Sequence, residues 1–111
     1  MSELSEQEFS RLADAVLARI EQAVEASGID ADIELKDGGV LELEFADGSK
    51  MIINRHGIAR EIWVAARSGG HHFRFTDGAW MHTREKRELF EALSEYISQQ
   101  SGEDVHLNAT L

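Results

Sequence analysis

The hydrophobic period of this chain changes twice, and those two changes restrict its fold more than any other feature. Across residues 5–27, Phe9, Leu12, Ala13, Val16, Leu17, Ile20, Ala23 and Val24 recur at helical spacing and form one wide apolar face. Ser5 and Glu8 supply the two halves of a capping box, and Gly28 stands where such a helix should stop. From residue 32 the period becomes two. Short alternating segments are predicted over 32–36, 40–45, 50–55, 61–66, 71–76 and 79–82. They are separated by Asp37-Gly38-Gly39, Asp47-Gly48, Ser68-Gly69-Gly70 and Asp77-Gly78 as turns. Helical spacing returns between about Arg84 and Ser101, with Leu89, Phe90, Leu93, Tyr96 and Ile97 as the apolar face and Gly102 as the stop. Turns this close together favour antiparallel pairing, because parallel pairing needs long crossovers. The expected fold is therefore α+β: a two-layer sandwich with an N-terminal and a C-terminal helix on one face of an antiparallel sheet of about six strands. A length of 111 residues suits one domain over 1–111, and the tail from Val105 to Leu111 is expected to cover the seam between the helices.

Covering one face leaves the other toward water, and alternation sorts the side chains between them. With Leu41, Leu43 and Phe45 inward, Glu42 and Glu44 point outward; with Met51 and Ile53 inward, Ile52 and Asn54 point outward. Ile62 and Val64 are the better inward pair of the fourth segment, which turns Glu61, Trp63 and Ala65 out. Phe73 and Phe75 inward place His72 and Arg74 outside. Pattern alone also admits the opposite register, with Trp63 in the core and Ile62 outside. A large aromatic on a polar sheet face is a common anchor for protein recognition.

Charge narrows the class of partner. The chain carries 21 Asp+Glu against 11 Lys+Arg, a net charge of −10. Glu3, Glu6, Glu8, Asp14, Glu21, Glu25, Asp30, Asp32 and Glu34 against Arg11 and Arg19 place −7 of it within the first 34 residues. A surface of this kind attracts metal cations or a basic protein and argues against nucleic acid, whose phosphates call for Lys and Arg. At ~100° per residue, Asp14, Glu21 and Glu25 fall on one edge of the helix beside its apolar stripe. Glu21 and Glu25 are i, i+4 neighbours able to share one ion, and carboxylates are hard oxygen donors suited to Ca²⁺, Mg²⁺, Mn²⁺ and iron. No convergent loop of the EF-hand type is present, so binding should be shallow and unselective, with dissociation constants on the order of 10⁻⁴ M. The bland alternative is a solvated helix face.

Without Cys there is no disulfide, thiolate zinc site or cysteine nucleophile, and no apolar run approaches the ~20 residues that span a bilayer. The N-terminus lacks the basic and apolar regions of a signal peptide, so a cytoplasmic protein is expected. His71 and His72 are strand neighbours that point to opposite faces and cannot chelate one ion together; His56, His82 and His106 show no ligand spacing. None of the common hydrolase, nucleotide-binding or metalloprotease motifs occurs, and the Gly-Gly pairs suit turns rather than phosphate loops, so no enzyme is expected.

Several stretches together resemble the frataxin family, its bacterial branch in particular: Phe9 with Arg11-Leu12-Ala13-Asp14, Gly38-Gly39-Val40-Leu41, Phe45 with Asp47-Gly48-Ser49-Lys50, and Ile52-Ile53-Asn54-Arg55. Ile62-Trp63-Val64-Ala65, Gly69-Gly70-His71-His72-Phe73 and Trp80 continue the match, which runs from about Ser5 to Leu107. The resemblance implies the helix–sheet–helix sandwich and an exposed Trp63. It also implies a role in iron–sulfur cluster assembly. Iron (Fe²⁺ or Fe³⁺) would be held weakly on an acidic ridge, carried over here to Asp14, Glu21, Glu25, Asp30, Asp32 and Glu34. The implied partners are the cysteine desulfurase and the cluster scaffold protein, with Asn54, His56, Trp63 and His72 as the sheet contact surface. A monomer is the expected state; metal-induced oligomers go with an iron-storage role. The chain departs from the family in places: Gln22 and Ala26 thin the ridge, and the connection from Gly28 to Asp32 is slightly short. His56 replaces a common Gln, and Arg74 stands where an acid is usual. Two other functions fit the same charge: an acidic adaptor with no physiological metal, and an iron oxidation or storage protein.

Overall fold

The structure, a computed structural model, describes residues 4–108. Helix α1 spans Glu6–Ser27 and begins at the capping box: the Ser5 hydroxyl accepts from the Glu8 N–H at 3.1 Å, and the Glu8 carboxylate accepts from the Ser5 N–H at 3.2 Å. It ends at Gly28, whose φ of 75° is the left-handed value that glycine adopts without steric cost. Six strands follow: β1 (Ala31–Lys36), β2 (Val40–Phe45), β3 (Lys50–His56), β4 (Glu61–Ala66), β5 (Gly69–Thr76) and β6 (Ala79–His82). Each pairs antiparallel with its neighbour in sequence, so the sheet order is β1-β2-β3-β4-β5-β6. Helix α2 (Leu89–Ser101) closes the fold.

Both helices pack on one face of this sheet, as the period changes require. Phe9, Ala13, Val16, Leu17, Ile20, Ala23 and Val24 of α1 meet Leu41, Leu43, Met51, Ile53, Ile62, Val64 and Phe73 of the sheet, and Leu89, Phe90, Leu93, Tyr96 and Ile97 of α2 complete the core. Burying each large side chain contributes about 1.5–3 kcal/mol, and this is the main force holding the two layers together. Gln100 ties α2 to one end of the central strands, where β3 starts and β4 turns into β5, by donating to Ser49 Oγ and the Lys50 carbonyl, both at 3.0 Å, and accepting from the Arg67 N–H at 3.1 Å. The tail runs back along α2: Ser98 Oγ exchanges hydrogen bonds with Val105, and the Leu107 N–H donates to Ser94 Oγ at 2.9 Å. Val105 and Leu107 are buried as expected for a cover, while the expected continuation over 109–111 lies outside the described residues.

Three expectations need correction. The second helix starts at Leu89, not near Arg84. Residues 83–88 turn back on the edge of β6 instead, with the His82 N–H donating to the Arg87 carbonyl at 2.9 Å and Met81 bridging Glu88. Glu88 then caps the helix, its carboxylate accepting from the Phe90 and Glu91 N–H groups. The turn expected at Ser68-Gly69-Gly70 is instead the pair Arg67-Ser68; Gly69 and Gly70 already belong to β5, opposite Ala66 and Ala65. Phe75 is half-buried rather than fully inward, lying edge-on to Trp80 at the sheet margin with ring centroids 5.2 Å apart.

Candidate functional site

Two surfaces emerge from this frame, one on the flank of α1 and one on the open side of the sheet. Asp14, Glu21 and Glu25 lie on the flank of α1 bordering its buried stripe; Asp14 and Glu25 are exposed and Glu21 is half-buried. Arg55 reaches up from β3 to this flank, its Nε 3.2 Å from Asp14 Oδ1 and its Nη1 donating to Ser10 Oγ at 3.1 Å. Asp14 therefore has a cation already beside it. Asp30 precedes β1, and its N–H donates to the Glu103 carboxylate at 3.4 Å. Asp32 and Glu34 point to the other side of the sheet, because the β1–β2 register sets them opposite Glu44 and Glu42 on the open face. The acids expected as one ridge thus form two groups, one in the helix layer and one on the open sheet face, both served by the α1–β1 segment.

Glu42 and Glu44 extend the second group, a role that sequence reasoning did not assign to them although strict alternation in β2 turned them outward. Like charges directly opposite each other are destabilising in a sheet. Lys36 and Lys50 offset this at Glu42, with Nζ atoms at 2.5 and 2.9 Å from its two oxygens, and the hydrogen bond from Lys36 is the chief cause that holds the Glu42 carboxyl below its usual range. Asp32, Glu34 and Glu44 carry no ion pair among the described residues. Nor do three His, Cys, Asp or Glu side chains converge there closely enough to enclose a metal ion. The donor set is all oxygen and exposed, which suits a hard cation held loosely through water-filled positions rather than a closed cage. Because Glu21 and Glu25 repel on the free helix, a Glu21→Gln, Glu25→Gln variant is expected to melt slightly higher than the parent, by a few tenths of a kcal/mol. An unchanged or lower Tm in thermal denaturation would count against that repulsion.

On the open face the register places Trp63 beside Asn54 on one side and His72 on the other. Trp63 is outward and half-buried while Ile62 is fully buried, which resolves the two registers left open by pattern. Its indole lies between two imidazoles: His56 stacks at 3.8 Å between centroids and 12° between planes, and His72 at 4.4 Å and 8°. Each such contact is worth about 0.5–1.5 kcal/mol beyond burial. His56 is itself oriented by the Ala59 N–H, which donates to its Nδ1 at 3.2 Å. The four residues expected as a contact surface, Asn54, His56, Trp63 and His72, are thus brought together on one side of the sheet.

Glu61 shares that side, as alternation predicted, but is only 6 % exposed. It accepts from Trp63 Nε1 at 2.8 Å and from Arg74 at 2.5 Å, with His72 Nδ1 at 3.5 Å. An acid two positions before an outward Trp was the available signal for this contact.

The chain is thus a helix-backed antiparallel meander with a charged flank and an open aromatic face. The pattern of the frataxin-like domain matches residues 2–103. The chain belongs to the frataxin family. It is 56 % identical over 104 residues to the iron–sulfur cluster assembly protein CyaY of Dechloromonas aromatica, covering 94 % of this chain and 99 % of that one. The protein of the same name from Ralstonia pickettii is 58 % identical over 113 residues, covering 98 % and 99 %. Among solved structures, the frataxin of Psychromonas ingrahamii superposes with a TM-score of 0.85 at 36 % identity, covering 95 % of this chain and 99 % of its own. Trimeric yeast frataxin complexed with ferrous iron gives 0.64 at 26 %, covering 93 % and 91 %. Among the described residues, no helix is long and apolar enough to cross a membrane.

Proposed function

We propose that this chain is a single frataxin-like domain over 1–111 that serves iron–sulfur cluster assembly in the cytoplasm as an iron-binding adaptor rather than as an enzyme. Its relatives carry the name of cluster assembly proteins, and a yeast relative is known in complex with ferrous iron. The observation that carries the reading is the pairing of two surfaces on one small scaffold: carboxylates served by α1 and β1, and the His56–Trp63–His72 stack on the open face. Asp14, Glu21, Glu25, Asp30, Asp32 and Glu34 would hold Fe²⁺ or Fe³⁺ weakly as cargo and dock on a basic patch of the cysteine desulfurase. Asn54, His56, Trp63 and His72 would contact the scaffold protein or the desulfurase. The free protein would be a monomer.

A second reading, docking with no physiological metal, is favoured by the separation of the acids into two groups without three converging ligands among the described residues. Anaerobic affinity measurements with a purified cysteine desulfurase separate the two, run with and without Fe²⁺ at two salt concentrations. Salt-sensitive binding is expected, because exposed charges more than about 8–10 Å apart are screened at physiological ionic strength. Glu21→Lys with Glu25→Lys should abolish it. Affinity that is indifferent to iron would select the metal-free adaptor, and no binding at tens of micromolar would refute docking altogether.

A further inference from the structure

We propose that Glu61 is the positioning residue of the sheet-face contact surface, holding the Trp63 indole in place with Arg74 as its counter-ion; this rests on the sheet-face reading above. A carboxylate on the solvent side of a sheet need not be buried. Glu61 is nonetheless 6 % exposed, while the groups around it are open: the side chains of His72 and Arg74 are 46 % and 62 % exposed. Burying a charge costs several kcal/mol unless its lone pairs are satisfied. Here both oxygens are engaged, Oε1 by the indole N–H at 2.8 Å and Oε2 by Arg74 at 2.5 Å.

The geometry gives this arrangement a purpose. An indole stacked between imidazoles can still slide or flip in the plane of the stack, because offset stacking is tolerant of lateral displacement. A hydrogen bond at Nε1 removes that freedom, since only one in-plane orientation points the N–H at Glu61 Oε1. Arg74, directly opposite Glu61 in the β4–β5 register, anchors the carboxylate from the next strand. The indole edge that faces a partner is thereby fixed before contact, which lowers the ordering cost of binding. With both ring faces covered by His56 and His72, the partner meets a rigid edge and two outer imidazole faces.

The test is a set of substitutions read in two ways: the Nε1–H proton resonance of Trp63 with its solvent exchange, and affinity for purified cysteine desulfurase and scaffold protein. Glu61→Ala should shift the indole N–H signal, speed its exchange and weaken binding roughly tenfold, the loss of about one charge-assisted hydrogen bond. Glu61→Gln keeps an acceptor for the indole N–H and should recover most of the affinity. Trp63→Ala fixes the maximum loss. If Trp63→Ala weakens binding and Glu61→Ala does not, the positioning role is overturned while the sheet-face reading stands. If Glu61→Ala lowers Tm but leaves the indole signal and affinity unchanged, Glu61 is only structural and the proposal fails. If Trp63→Ala binds like the parent, the sheet-face reading itself falls and the role of Glu61 in binding falls with it.

Discussion

Gly39→Ala should destabilise the protein by about 2–4 kcal/mol, far more than the same change at its neighbour Gly38. Both glycines sit in the left-handed region, at φ 77° and 86°, so an alanine at either is strained by roughly 1–2 kcal/mol. Only Gly39 has something in the way. A Cβ there would fall 2.2 Å from Arg55 Nε and 2.5 Å from Arg55 Cγ, whereas nothing lies within 4 Å of the corresponding position at Gly38. The arm of Arg55 crosses the Gly39 backbone, whose carbonyl accepts from the Arg55 N–H at 2.9 Å, on its way to Ser10 and Asp14. Alanine at 39 therefore displaces the Arg55 link from β3 to the flank of α1, which sets a cation beside Asp14. Urea denaturation of both variants, alone and combined with Arg55→Ala, gives the measurement. The extra cost at position 39 should largely vanish when Arg55 is already absent. Equal costs at 38 and 39 would show that Arg55 moves aside freely.

Acidification below pH 6.5 should weaken the fold through His71. His82 is buried, and its Nδ1 accepts from the N–H groups of Arg84 and Glu85 at 3.0 and 3.1 Å. That fixes its proton on Nε2, which donates to His71 Nδ1 at 3.2 Å and leaves the His71 Nε2–H facing Ser68 Oγ at 3.1 Å. A proton added at His71 Nδ1 would set two donors against each other. Burial against Tyr96 and then the proximity of His82 push His71 below its ordinary value of 6.5. Glu85 acts in the opposite sense, and Arg87 and His72 add to the lowering. The unfolded chain then takes up a proton as pH falls through 6.5 while the folded chain does not. Stability from this group is thus fully present above that pH and declines below it. The denaturation midpoint is expected to hold steady near pH 7.5 and fall toward about pH 5.5, and His71→Gln should remove most of that slope. A slope that survives the substitution would assign the effect to another group.

Much of the scaffold was legible because local rules and the global fold agree. The Ser5–Glu8 box, the left-handed stop at Gly28, and the inward sets Leu41-Leu43-Phe45 and Ile62-Val64 all follow from period and turn chemistry. The failures mark places where tertiary contacts outweigh local preference. Arg84-Glu85-Lys86-Arg87 are good helix formers, yet the buried His82 captures two of their N–H groups and β6 takes the Arg87 carbonyl, so the helix waits until Glu88. His71 and His82 read as separate, unremarkable histidines because their contact spans two strands and a turn. The acids of the candidate site were visible by residue type, but their division between two layers depends on the β1–β2 register. Glu61 was correctly turned outward, and only the cross-strand arrival of Arg74 and the fold of the indole over it explain its burial.

The sequential strand order has a kinetic consequence. Each strand pairs only with its neighbour in the chain, so the sheet can zip from hairpin to hairpin with short loop closures at every step. The helix layer has no such advantage. Its halves, α1 and α2, are separated by the whole sheet in sequence yet must cover one face of it. Covering the sheet therefore spans a larger separation in sequence than any of its hairpins, and the entropic cost of long-range closure falls on the helix layer rather than on the strands.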